Sequence, residues 1–204
     1  MGAMHDRLGA VGQQVTCLRV ATVGLVLAVA AGWSNLLLVV MGHVVPGWAV
    51  GAGLCFVSLI LMTAHAVRRV SADDMFLPGR RMLPGVALAL LTAAAGLGSA
   101  GGAVSDLLGG ADYRVLEPVG PHGCTAVVRE TSFLKISDGM VYAVGSTGVA
   151  WRESGSWTAD DMHRPVADGT YELSWNGSGV GAFRVRGTAT DLIVFSDVDP
   201  LSCG

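Results

Sequence analysis

The residues best suited to chemistry lie together in one polar stretch of the chain. Asp160, Asp161 and His163 bring two carboxylates and an imidazole close in sequence. Carboxylates with an imidazole can bind zinc or act as a general base in hydrolysis. The spacing matches no metalloprotease or hydrolase motif, so we expect a solvated turn and predict no catalytic residue, no metal and no cofactor.

Trp157 indicates a second interpretation of the same stretch, as a binding surface. It lies in residues 154–167, the longest part of the C-terminal half without a strand pattern. Long loops in small β domains often carry function, and an exposed Trp is typical of binding surfaces. We therefore expect Trp157, Asp160, Asp161 and His163 to form a surface that binds a glycan, a peptide or a membrane partner.

The composition indicates that these residues belong to a membrane protein. Hydrophobic residues make up 51% of the 204 residues. Residues 20–67 contain no charged side chain and are too long for one span, so the chain must turn once near Pro46. We predict a cytoplasmic tail at 1–19 and a three-helix transmembrane region at 20–108, with spans at about 20–42, 47–67 and 82–105.

The arginines predict the sidedness of this region. Positive residues in short loops stay in the cytoplasm, and the loop from Arg68 to Arg81 carries four arginines. Residues 111–204 are acidic, with twelve Asp and Glu against seven Lys and Arg, which disfavours a nucleic-acid partner. We predict a multi-pass protein of the cell membrane, with its N terminus in the cytoplasm and an extracytoplasmic domain at 111–204.

A cleaved signal peptide is the alternative for the first helix. Ala28 to Ala30 follow the small-residue pattern of a cleavage site, with Arg19 before the apolar core. The apolar run continues through Leu36 to Val40, which is too long for a signal core, so we expect the helix to be retained. Whether it is ever cleaved stays open.

The C-terminal domain has the pattern of an antiparallel all-β sandwich or small barrel. Short alternating segments are separated by turn signals such as Asp138-Gly139 and Asn176-Gly177. One hairpin has a specific register, in which Trp175 faces Gly181 and Glu172 faces Arg184. The predicted strands cover residues 113–117, 124–130, 133–136, 140–144, 149–153, 170–175, 182–186 and 192–195.

Small and polar residues within the spans predict helix packing. Pairs of small residues four apart let helices approach closely, and a polar residue inside a span usually forms an interhelical hydrogen bond. Packing within the bundle is favoured over packing between copies, and the oligomeric state stays open. The residues concerned are Asn35, Gly47, Gly51, Gly98 and Gly102.

The segment from Gly123 to Glu130, with the sequence Gly-Cys-Thr-Ala-Val-Val-Arg-Glu, resembles one in multi-pass membrane proteins of actinobacteria that carry an exported β domain. The resemblance implies this layout and no activity. The leading hypothesis is an envelope protein, anchored in the lipid bilayer, whose exported domain binds a protein partner or senses a ligand. The alternatives are an accessory subunit of a membrane complex and an extracytoplasmic hydrolase that uses Asp160, Asp161 and His163.

Cys124 and Cys203, the two cysteines of residues 111–204, should pair in an oxidising compartment. Such a bond would stabilise the domain by about 4.5 kcal/mol in the chain-entropy model. Protein purified without reductant should therefore have two fewer alkylatable thiols than reduced protein, as measured by mass spectrometry. Two free thiols at these positions would contradict the predicted sidedness.

Overall fold

The computed structural model describes residues 2–70 and 82–203, without the side chains of residues 2–15, 17, 68–70 and 82–84. Arg80 and Arg81 of the arginine loop lie outside the described residues. The chain forms two compact units. Unit 1 comprises Met1–Trp33 and Trp48–Gly101, and unit 2 comprises Ser34–Gly47 and Gly102–Gly204.

The described chain contains three α-helices and ten β-strands. The helices are α1 (Gly2–Trp33), α2 (Gly47–Val70) and α3 (Met82–Leu108). The strands are β1 (Leu37–Val40), β2 (His43–Pro46), β3 (Asp112–Val115), β4 (Thr125–Phe133), β5 (Ile136–Val144), β6 (Val149–Ala150), β7 (Gly155–Asp160), β8 (Tyr171–Trp175), β9 (Gly181–Val185) and β10 (Ile193–Val198).

Two helices in the described part of the chain are long and apolar enough to cross a bilayer. They are the segments Gly47–Val67 and Gly85–Leu108. The apolar part of α1, Leu18–Trp33, is shorter: it extends about 24 Å, against a bilayer core of about 30 Å. The structure thus supports two of the three predicted spans by length and composition.

The first helix differs from its prediction at both ends. It begins at Gly2, so residues 2–19, predicted as a loosely ordered tail, are helical, as their Ala, Leu and Gln content favours. It ends at Trp33 rather than near Gly42. Leu37–Val40, which was assigned to the predicted span, forms strand β1 because its partners lie in a sheet of unit 2.

Small residues bring the three helices of unit 1 together. Gly51 of α2 is so close to α1 that an added Cβ would lie 2.9 Å from the carbonyl oxygen of Ala28. Gly98 of α3 contacts the Trp33 side chain in the same manner, at 2.6 Å. The Trp33 indole donates a hydrogen bond of 2.9 Å to the Ala94 carbonyl. These glycines therefore serve packing within unit 1.

The connection between α1 and α2 is a β-hairpin. Its two-residue loop, Met41 and Gly42, has positive φ at both positions, as tight hairpin turns require. Strand β1 also pairs with β6, with Leu37 opposite Ala150. The hairpin predicted only as a turn near Pro46 is thus an integral part of unit 2.

A five-stranded antiparallel sheet, in the order β10-β7-β5-β4-β3, forms the centre of unit 2. One face packs on the β8-β9 hairpin through a core that includes Val128, Val141 and Phe183. The other packs on the β1-β2-β6 sheet through Leu37 and Tyr142, among others. Unit 2 is therefore a layered antiparallel β domain with an open central sheet.

The β8-β9 hairpin has the predicted register. Trp175 lies opposite Gly181, and Glu172 lies opposite Arg184. The ion pair of Glu172, however, is with Arg186, two residues further along. The Trp175 ring also covers Gly120, and its indole donates a hydrogen bond of 2.8 Å to the Pro118 carbonyl.

Two predictions near the central sheet are wrong. Residues 133–136, predicted as one strand, contain the end of β4 and the start of β5, joined by the two-residue loop of Leu134 and Lys135. Asp138-Gly139, predicted as a turn, lies inside β5, where Gly139 pairs with Trp157 of β7. A Cβ on Gly139 would lie 2.0 Å from the Trp157 ring, so only a glycine leaves room for the indole to pack against the strand.

A buried ion pair joins the last turn of α3 to the sheet. Both side chains are largely excluded from solvent: Asp106 is 12% exposed and Arg129 is 18% exposed, with 2.6 Å between their charged atoms. The Tyr113 hydroxyl donates a further hydrogen bond of 2.8 Å to Asp106. Burial, then this bond and the Asp106 charge, raise the pKa of Tyr113. Burial lowers the pKa of Arg129, but the contacts with Asp106 and Tyr113 outweigh it and leave the pKa raised.

Replacement of Gly139 by Ala should destabilise unit 2 by about 3 kcal/mol, because the Trp157 ring must move to admit the methyl group. The control is Gly177→Ala, which adds a methyl group in open space and should change stability by less than about 0.5 kcal/mol. Chemical unfolding followed by tryptophan fluorescence measures both. Equal stability of the two variants would contradict the packing described.

Replacement of Asp106 by Asn should cost about 3 to 5 kcal/mol, because it leaves the Arg129 guanidinium buried without a charged partner. The control is Glu172→Gln, which removes a pair whose side chains are 56% and 64% exposed and should cost at most about 1 kcal/mol. The same unfolding measurement applies. A smaller loss for Asp106→Asn than for Glu172→Gln would refute this account.

Candidate functional site

Trp157, predicted to be exposed in a loop, is buried in strand β7. It is 1% exposed, and its ring centroid lies 5.4 Å from that of Phe183. The prediction is wrong because residues 155–160 form a strand between β5 and β10, which turns Trp157 towards the core. This residue offers no surface to a ligand.

The predicted cluster of Asp160, Asp161 and His163 begins at the end of the same strand, and its side chains bond to different partners. Asp160 ends β7, and its carboxylate accepts a hydrogen bond of 2.9 Å from the Asp161 amide. His163 is 7% exposed and directs its side chain elsewhere. Its Nδ1 lies 3.0 Å from the Asp168 carboxylate, and its Nε2 lies 3.2 Å from the Thr170 hydroxyl.

Asp168, His163 and Thr170 form a hydrogen-bonded chain of the kind found in hydrolytic triads. The Thr170 hydroxyl, however, also donates to the Pro165 carbonyl, at 3.2 Å. Neither of the two cavities described below contains any of these three residues. This hydrogen-bonded chain holds the 160–170 loop in shape.

The buried carboxylate of Glu130, in strand β4, fixes the same loop. Glu130 is 2% exposed and accepts hydrogen bonds from the amides of Val166 and Ala167, at 2.8 and 2.9 Å. Burial raises its pKa, and the two amide hydrogen bonds oppose this shift. Sequence reasoning placed Glu130 in a strand without a role, because its partners are amides that no residue pattern identifies.

The better candidate site is a polar cavity of about 540 Å³ in unit 2, which we call the Trp151 cleft. Trp151 is 69% exposed, and the cleft has polar and charged groups close to it. Its lining includes Trp151, Arg152, Glu153, Ser154, Asp199 and Ser202.

Three separate constraints hold the walls of the Trp151 cleft. The Cys124–Cys203 disulfide, present as predicted with 5.8 Å between the Cα atoms, fixes the chain end that carries Ser202. The amide of Asp199 donates to the Ser154 carbonyl, at 3.0 Å. The wall is therefore built from segments that are distant in sequence.

Asn35 takes part in the third constraint. It was predicted to lie inside the first span, but it follows α1, and its amide donates a hydrogen bond of 2.6 Å to the Glu153 carboxylate. Because Glu153 lines the cleft, this bond ties the segment after α1 to the cleft wall. The prediction is wrong because α1 ends before Asn35. Of the other predicted packing residues, Gly47 begins α2 and Gly102 lies within α3.

A second cavity, of about 430 Å³, lies beside the β8-β9 hairpin. Its lining includes Trp175, Phe183 and Arg184. It shares Asp199 and Pro200 with the Trp151 cleft. Because Trp175 and Phe183 pack in the core of unit 2, this cavity has fewer side chains available for a ligand than the Trp151 cleft has.

The Trp151 cleft combines groups that suit a polar ligand with an apolar face. An indole offers flat apolar area and an N–H donor, a guanidinium donates to oxygen acceptors, and carboxylates and hydroxyls accept or donate. From the sequence, Trp151 falls inside the predicted strand 149–153 and receives no role in a site. The signal for exposure was local: Arg152 and Glu153 follow it directly.

Comparison with protein-family models, with curated proteins and with solved structures found no match to the chain.

Proposed function

We propose that the chain is a membrane-anchored envelope protein whose extracytoplasmic β domain, unit 2, binds a polar ligand in the Trp151 cleft. The observation that carries the proposal is the cleft itself, where an exposed Trp lies beside Arg152, Asp199 and Ser202. Binding sites are concave and place a few polar groups around an apolar surface.

Strand pairing supports the sidedness of this proposal. The β1-β2 hairpin precedes α2, and β6, its partner, follows α3. Both segments are thus on one side of a membrane crossed by α2 and α3. The connection between α2 and α3 is then on the other side, and its arginines favour the cytoplasm.

The disulfide between Cys124 and Cys203 agrees with an oxidising compartment for unit 2. We further propose that α1 is a third span, with its N terminus in the cytoplasm. Its apolar segment is short, but Arg19 stands at its cytoplasmic end, where a long side chain can extend towards the membrane surface.

The two alternative functions have less support. A hydrolase would use His163 with Asp160 or Asp161, whereas His163 bonds to Asp168 and Thr170. An accessory subunit would dock through the small residues of α3, whereas Gly98 packs against Trp33 of the same chain.

The proposal is tested by titrating the full-length protein in detergent with short envelope oligosaccharides, beginning with the N-acetylglucosamine tetramer, and measuring affinity by calorimetry. Trp151→Ala should weaken binding by about tenfold or more, as expected for a central aromatic contact. The control is Arg186→Ala, an exposed change outside the cleft, which should leave affinity unchanged.

Two results would count against the proposal. One is the absence of binding by any oligosaccharide of the set to the unmodified protein. The other is an equal loss of affinity in Trp151→Ala and Arg186→Ala, which would place the ligand elsewhere.

A further inference from the structure

The end of α3 lies against one face of the central sheet. Asp106 pairs with Arg129, and Gly109 lies so close to Thr131 that an added Cβ would come within 3.0 Å of its Cβ. Side chains alternate between the two faces of a strand, so Arg129 and Thr131 share one face of β4. The chain leaves α3 on this face.

The open part of the same face carries large apolar side chains. Phe133 follows Thr131 by two positions and so shares its face, and Ile136 is paired with Phe133. Phe195 reaches the same face by register, because Thr131 pairs with Asp138, Asp138 with Thr158, and Thr158 with Phe195. All three apolar side chains are exposed.

The hairpin loop beside them has an unusual residue at its tip. Leu134 has φ of 56° and is 75% exposed. Two-residue hairpin loops normally place Asn or Gly at such positions, since a bulky side chain is strained at positive φ. An exposed leucine held in that conformation is unfavourable both in solvation and in backbone energy, which indicates a role outside the domain.

We propose that this surface, defined as Phe133, Leu134, Ile136 and Phe195, contacts the lipid bilayer and that Leu134 inserts among the lipid headgroups. The proposal rests on the placement of α3 in a membrane. The apolar segment of α3 ends at Leu108, and Leu107 and Leu108 are exposed. The surface is continuous with that end, because the Ser132 amide, one residue before Phe133, donates a hydrogen bond of 2.7 Å to the Gly109 carbonyl.

The charges around the surface indicate which lipids suffice. Lys135, beside Leu134 in the loop, is cationic, but Asp138 and Asp160 lie on the same face by register. Anionic headgroups would gain little net attraction from this mixture. The contact is therefore apolar, and zwitterionic phosphatidylcholine should support it.

The test uses the full-length protein with Cys17→Ala and Cys55→Ala, reconstituted in phosphatidylcholine vesicles. An environment-sensitive fluorophore is attached at Leu134→Cys, at Ser178→Cys in the β8-β9 loop as a matched control, and at Leu90→Cys as a reference within α3. Doxyl-labelled lipids quench a fluorophore in the bilayer, and iodide quenches one in water. Lys135→Cys serves as a second reporter if Leu134→Cys folds poorly.

We expect a blue-shifted emission and strong quenching by doxyl lipids at position 134, and iodide quenching alone at position 178. Quenching by doxyl lipids at position 90 but not at 134 would overturn the bilayer contact and leave the proposed anchoring intact. No lipid quenching at position 90 would overturn both. A label at position 134 shielded from lipid and iodide alike would indicate a protein partner or a second copy, and would also overturn the contact.

Discussion

The buried ion pair between Asp106 and Arg129 determines where the β domain begins. A buried aspartate at the end of an apolar helix destabilises the fold unless an opposite charge pairs with it. Arg129 of the sheet provides that charge. Arg164 then donates to the carbonyls of Gly109 and Gly110, at 3.2 and 2.9 Å, which fixes the chain just beyond the helix. The helix end and the sheet therefore behave as one structural element.

Strands with a polar and an apolar side could be predicted from the sequence. The β8-β9 hairpin alternates clearly, and its register followed from the position of the loop at Asn176. The Cys124–Cys203 bond followed from counting cysteines in one compartment. These features depend on local patterns or on elimination, and neither requires knowledge of the tertiary structure.

The remaining elements depend on contacts that the pattern does not encode. Leu37–Val40 is apolar on both sides, so hydropathy alone cannot separate a buried strand from the end of a span. Gly139 follows an aspartate, and the Asp-Gly pair has the sequence pattern of a turn, although the role of this glycine is to accommodate the Trp157 ring. For the site, the sequence predicts an exposed tryptophan at Trp157, whereas Trp157 is buried and Trp151 is exposed. The residues around Trp157 lack a clear strand pattern although they form strand β7.

The pairing of β1 with β6 has a consequence for biosynthesis. The hairpin is made before α2, yet its partner strand follows α3 and the two long strands β4 and β5. During translation the hairpin must wait with its apolar side uncovered until most of the chain has been made. A fragment that begins after α3 would lack the hairpin altogether, and Val127 and Tyr142 would lose the covering side chain of Leu37. The hairpin and the rest of the β domain therefore have to fold together, although α2 and α3 separate them in the sequence.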